Sequence, residues 1–206
     1  MSRKSYAVIF NTTYTMSSRT YMPYIDVAIE HITRVYDWNQ KVDEMRIAFI
    51  KEVQSYLPRW TTVPVIETPA DYHRYHWYNF NDGLRIFYEE RNEYTQAKLN
   101  NDKEEMVDAL IDQFIVAIGE IRKCALSDNY EHIAFWEDKV NESLRTLSYE
   151  LCVFLKTSRL LDVCITEVID SLFTRFGDDA YIDGNNKFIK SKSYRKPNLS
   201  AILTHK

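Results

Sequence analysis

FYEERNEYTQAKLNNDKEEMVDALIDQFIVAIGEI, residues Phe87 to Ile121, is the stretch on which the fold turns. Its second half places Val107, Leu110, Ile111, Phe114, Ile115 and Ile118 at spacings of three and four, the stripe of one amphipathic helix. Its first half belongs to an earlier helix running from Leu84 to about Leu99, started near Asp82 by the Asn81-Asp82-Gly83 turn and stopped by Asn100, Asn101 and Asp102. A loop that short makes the two helices neighbours, so an antiparallel hairpin over 82–124 is expected.

Carboxylates sit on both members of the pair. At about 100° per residue, Glu90 and Glu93 share a face of the first helix, while Asp108 and Asp112 lie about 40° apart on the second, flanking its apolar stripe. Packed antiparallel, the two acidic faces meet. Hard divalent cations take oxygen ligands, and magnesium in particular is held by a few carboxylates together with water and substrate phosphates. Like charges brought together repel, which a bound cation would relieve. On spacing alone the same residues also read as the solvated faces of two ordinary amphipathic helices.

Working outward, the chain has only 4 Gly and 5 Pro in 206 residues, which favours long helices. Pro23 can open a helical part that continues through Val27, Ile32, Val35, Phe49, Val53 and Leu57 to Pro58, as one helix or two. The Pro-spaced stretch from Pro58 to Pro69 reads as an extended linker. A further helical region covers about Tyr130 to Phe176, with a break expected near Thr157 and Ser158. From Gly177 the composition shifts to Asp, Asn, Gly, Lys and Ser. The expected fold is therefore all-α: one domain over 1–206, a helical bundle built around the acidic hairpin, with an N-terminal helical extension over 1–70 and an irregular, basic C-terminal tail over 177–206.

Several function classes are disfavoured. The net charge of -4 gives no general reason to expect nucleic acid as a partner. No segment approaches the apolar length that spans a bilayer, and Met1 to Phe10 has no secretory pattern, so no membrane partner and a cytoplasmic location are expected. Cys124, Cys152 and Cys164 are odd in number and lack CxxC pairing, which signals neither a disulfide framework nor a zinc site. A Gly-rich phosphate loop, a G-x-S-x-G elbow and a Cys-His nucleophile arrangement are all missing from the sequence.

Two features stay open. His73, His76 and Trp77 read mainly as packing, with a wall of a base pocket or a metal pair as alternatives. Gly184 to Lys206 holds Lys187, Lys190, Lys192, Arg195, Lys196 and Lys206 without one Asp or Glu. That segment is either a solvated end or, with Arg175, a device for capturing a triphosphate, with nucleic-acid binding by the same residues as a minor third reading.

The stretch from Phe87 to Ile121 resembles the core of the MazG-like superfamily of all-α nucleoside triphosphate pyrophosphohydrolases, which includes phosphoribosyl-ATP pyrophosphohydrolase. Members carry EExxE on one helix and ExxD on the next. Glu89, Glu90, Glu93 and Asp112 match, while Ala109 stands where the second motif has Glu, and Asp108 is one turn before Asp112 with Glu105 in reserve. A second stretch, VIDSLFTRFGDDAYIDGNNKFIKSKSYRKPNL from Val168 to Leu199, resembles the C-terminal signature of phage-type members: Ser171, Arg175, Asp183, Gly184, Lys187, Lys190, Tyr194, Pro197 and Leu199 fit, and Leu172 replaces an Asn.

The resemblance implies a hydrolase that converts a nucleoside triphosphate, in phage-type members a deoxynucleotide, into a monophosphate and pyrophosphate. Glu90, Glu93, Asp108 and Asp112 are the expected ligands of Mg2+, with Mn2+ as a substitute, and Glu89 is the candidate general base. Arg175, Lys187, Lys190 and Tyr194 are the expected substrate-binding residues. Relatives form homodimers or homotetramers, and a phage-encoded member would act in the host cytoplasm. A non-catalytic nucleotide-binding or helical interaction protein on the same scaffold is the alternative, motivated by Ala109 and Leu172.

Overall fold

The computed structural model describes residues 22–56, 64–75, 78–155, 160–185 and 187–204. The helices among them are α1 (Met22–Ser55), α2 (Pro69–Tyr75), α3 (Phe80–Leu99), α4 (Lys103–Leu126), α5 (Ile133–Leu155), α6 (Leu160–Phe173) and α7 (Leu199–Thr204). The fold is all-α apart from one pair of two-residue strands, β1 (Tyr181–Ile182) and β2 (Phe188–Ile189). No helix among the described residues is long and apolar enough to cross a membrane.

Local chemistry fixes the boundaries of the central pair. Asn79 caps α3, its side chain accepting from the Asn81 N–H at 3.1 Å, so the helix begins two residues before the expected Asp82. Past Leu99 the chain turns through Asn101, which takes a left-handed φ of 55° that Asn tolerates better than most residues. Asp102 then caps α4 by accepting from the Glu105 N–H at 3.1 Å. Only Asn100, Asn101 and Asp102 separate the two helices, which pack along each other.

Helix α4 is the axis of the molecule. It meets α1, α2, α3, α5, α6 and α7, and its Met106, Val107, Leu110, Ile111, Phe114, Ala117, Ile118 and Ile121 are buried. A helix enclosed on most sides needs apolar residues around more than one stripe, which explains its richness in Ile, Leu, Val and Ala. Phe87 from α3, Trp136, Leu147 and Leu151 from α5, and Ile165, Val168 and Ile169 from α6 complete the core. Val35 and Tyr36 of α1 belong to that same cluster, so this part of the N-terminal region is built into the bundle rather than appended to it.

One open sequence expectation is settled and one changes. The first helical part runs unbroken from Met22 to Ser55, while the breaks expected at Pro58 and at Thr157 and Ser158 lie outside the described residues. The C-terminal tail, expected to be irregular, pairs Tyr181 with Ile189 and Ile182 with Phe188 and ends in α7, whose Leu199 is buried in the main core. Asp183 accounts for the pairing: its Oδ1 accepts from the Asn185 and Lys187 N–H groups, both at 2.9 Å, and so folds the chain back on itself.

Candidate active site

Glu90 and Glu93 lie on α3, and Asp108 and Asp112 on α4. Glu93 is exposed and the other three are half-buried. Burial, reinforced by the charges of Glu93, Asp108, Glu89 and Glu105, pushes the Glu90 carboxyl up to about 7. Asp108 rises to about 6, through burial and then the charge of Glu105, with Glu93 adding to it and Arg175 and Lys196 opposing. Asp112 rises well above the usual carboxylate range, first from burial and then from Asp108, Glu90 and Glu93, against the pull of Arg175. Carboxylates from two neighbouring helices therefore feel one another strongly. No hydrogen bond or ion pair satisfies any of the four among the described residues.

The donor set is all oxygen, which fits a hard cation, and offers neither thiolate nor imidazole for a softer one. Among the described residues, however, no three Asp, Glu, His or Cys side chains close on a common point as a preformed cation cage.

The remaining sequence candidates divide. Glu89 is exposed and pairs with Arg85 one turn earlier at 2.7 Å, on the outer side of α3. Ala109 is buried, which accounts for its identity: a Glu at this position would place its carboxylate in the core, whereas Asp108 beside it remains half-buried at the acidic group. Arg175 follows α6, with its guanidinium 5.3 Å from the Tyr194 ring centre and its Nε buried without a hydrogen-bond partner among the described residues. Lys190 covers the same ring, its Nζ at 4.1 Å. Lys187 is exposed, and no contact brings its ammonium to the carboxylates among the described residues. Lys196 was legible only as one member of a basic run, yet its charge reaches Asp108. Its neighbour Arg195 turns instead to Glu167.

His73 is structural. It is buried, and its Nε2 lies 2.9 Å from Asp43 Oδ2, which also accepts from Arg122. His76 and Trp77 lie outside the described residues. A polar cleft of about 250 Å³ is lined by His73, Arg74, Tyr78, Ser127 and Asn129. It sits past the C-terminal end of α4, roughly 20 Å along the helix axis from Asp112. All three cysteines are free, and burial raises the thiols of Cys124 to about 11 and Cys164 to about 12, as inert core residues.

No protein-family model, curated protein or solved structure matches the chain.

Proposed function

We propose that this chain is a magnesium-dependent nucleoside triphosphate pyrophosphohydrolase that acts on a deoxynucleotide in the cytoplasm, as a homodimer or homotetramer of bundles built around an antiparallel acidic hairpin. The observation that carries the reading is the mutual charge stress of Glu90, Asp108 and Asp112, with Glu93 beside them. Half-buried carboxylates with no hydrogen-bond or ion-pair partner among the described residues are costly unless something positive joins them. Opposed helix directions are supported by Gly83 of α3 lying against Glu120 of α4, while Glu90 couples to Asp112 and Glu93 to Asp108 nearer the loop.

Glu90, Glu93, Asp108 and Asp112 would hold the cation through their carboxylate oxygens. A bound Mg2+ supplies neutralising charge for the phosphates and lowers the pKa of an attacking water. Arg175 and Lys190, arrayed on Tyr194, meet the phosphate oxygens, and Lys196 adds charge on the Asp108 side. Water attacks the α-phosphorus, the bond from that phosphorus to the bridging oxygen breaks, pyrophosphate leaves, and Glu89, once released from Arg85 and turned towards the acidic group, takes the water proton.

The test is product identity. With Mg2+, ordinary and deoxynucleoside triphosphates should yield pyrophosphate and monophosphate, and Asp112→Asn should lower turnover by at least roughly a hundredfold while the helical circular dichroism persists. Release of single phosphates, or no release from any nucleotide, would falsify the reading. The lack of a preformed cage among the described residues favours one second reading, a nucleotide sensor on the same scaffold, which predicts tight nucleotide binding without turnover.

A further inference from the structure

Ser171, in the last turn of α6, and Thr174, in the turn that follows, are aimed at main chain rather than at the acidic group. Ser171 Oγ donates to the Arg195 carbonyl at 2.7 Å, and the Arg195 N–H donates to Thr174 Oγ1 at 2.9 Å. Thr174 Oγ1 in turn donates to the Ser171 carbonyl at 2.7 Å, which fixes the direction in which it can accept. Glu167, one turn earlier, accepts from the Arg195 guanidinium and, at 2.7 Å, from the Asn198 N–H. Glu167 and Ser171 share one face of α6, and Thr174 follows in the turn just past its end. Together the three read the donor, the acceptor and the side chain of a single residue.

Such complete pairing sets register. With both main-chain groups of Arg195 engaged and its side chain drawn to Glu167, the neighbours Tyr194 and Lys196 have little freedom to exchange places with it. Tyr194 takes Arg175 and Lys190 on its ring, and the Ser191 N–H ties this segment to the Arg175 carbonyl at 2.9 Å. Ser171 is only 2% exposed, so its hydroxyl is not available to a ligand.

We propose that Glu167, Ser171 and Thr174 are positioning residues that clamp the register of Arg195 and thereby hold Tyr194, Lys196, Arg175 and Lys190 as one preassembled set of contacts for a polyphosphate chain. The proposal rests on the pyrophosphohydrolase reading, since it assigns the acidic group as the neighbouring cation site. Ordering four long or bulky side chains before the ligand arrives removes part of the entropy cost of binding.

The experiment uses the full chain and inorganic tripolyphosphate, titrated calorimetrically in the presence of Mn2+, with Mn2+ alone titrated separately. Thr174→Val and Ser171→Ala should each bind Mn2+ with wild-type affinity but bind tripolyphosphate roughly tenfold more weakly, the scale of one lost hydrogen bond. Thr174→Ser, which restores the hydroxyl, should return wild-type affinity, and Glu167→Gln, which breaks the ion pair without emptying the site, should move in the same direction as Thr174→Val. In turnover the loss should fall on KM and leave kcat unchanged. Wild-type tripolyphosphate affinity in both Thr174→Val and Ser171→Ala overturns the clamp, as does an equal fall in Mn2+ affinity, which would mean general damage. Wild-type protein that binds Mn2+ but no tripolyphosphate also overturns it while sparing the metal site. Wild-type protein that binds no Mn2+ overturns the enzymatic reading and the clamp with it.

Discussion

Glu90 and Asp108 each carry a carboxyl whose surroundings disfavour the charge, burial first and like charges second in both. Their folded values, about 7 and about 6, lie above the ordinary 4.5 and 3.8, so the folded protein binds protons more tightly than the unfolded chain. The sign follows. Stability from these groups is greatest below their ordinary values and is lost as pH rises through about 6 and 7. Asp43, Asp71, Asp128 and Asp179 are shifted the other way, below 3.8, and titrate under that window. In chelator, therefore, the melting temperature should fall between pH 5.5 and pH 8, by about 2–4 °C for each kcal/mol lost. Millimolar Mg2+ at pH 8 should restore it, and Glu90→Gln should shrink the fall. A melting temperature that holds or climbs across this range without metal would contradict the assignment of stressed carboxylates.

At the scale of elements, α3 lies close against α4 and α5 at Gly83. A β-carbon there would stand 2.5 Å from Glu120 Oε2 and 2.9 Å from a ring carbon of the fully buried Trp136. The glutamate can swing aside but the indole is held in the core, so Gly83→Ala should destabilise by about 1–3 kcal/mol despite its better helix propensity. Urea unfolding checks this, and a variant as stable as the wild type would show that the helices are not seated as described. The pair itself was legible because Val107, Leu110, Ile111, Phe114 and Ile118 repeat with the helical period and Asn100, Asn101 and Asp102 break it. The strands were not, since two residues each, Tyr181–Ile182 and Phe188–Ile189, are too few to show an alternation. Nor was the union of Asp43 with His73 and Arg122, residues 30 and 79 positions away in sequence, because periodicity reports on faces and not on distant partners. Lys196 escaped for a similar reason: a run of basic residues does not say which member turns inward, and Arg195 rather than Lys196 is the one that α6 takes.

Over the whole molecule, one apolar core links α1, through Val35 and Tyr36, to α7, through Leu199. The C-terminal segment is thus part of the bundle, and from it Lys196, with Arg175 just past α6, is near enough for its charge to reach Asp108. A second small cluster of Ile47, Ile66 and Tyr72 fastens α1 to the segment around α2. Those contacts leave the Glu90, Asp108 and Asp112 carboxyls of α3 and α4 raised by burial and by neighbouring carboxylates. The direct test is Mn2+ binding followed by electron paramagnetic resonance near pH 7.5. The account predicts saturable binding to the wild-type protein, weakened by at least roughly tenfold in Glu90→Gln and in Asp112→Asn, each losing one charged ligand. It also predicts unchanged binding in Glu104→Gln, an exposed carboxylate on the first turn of α4. Equal Mn2+ affinity in all four proteins, or none in the wild type, would contradict a cation site between α3 and α4.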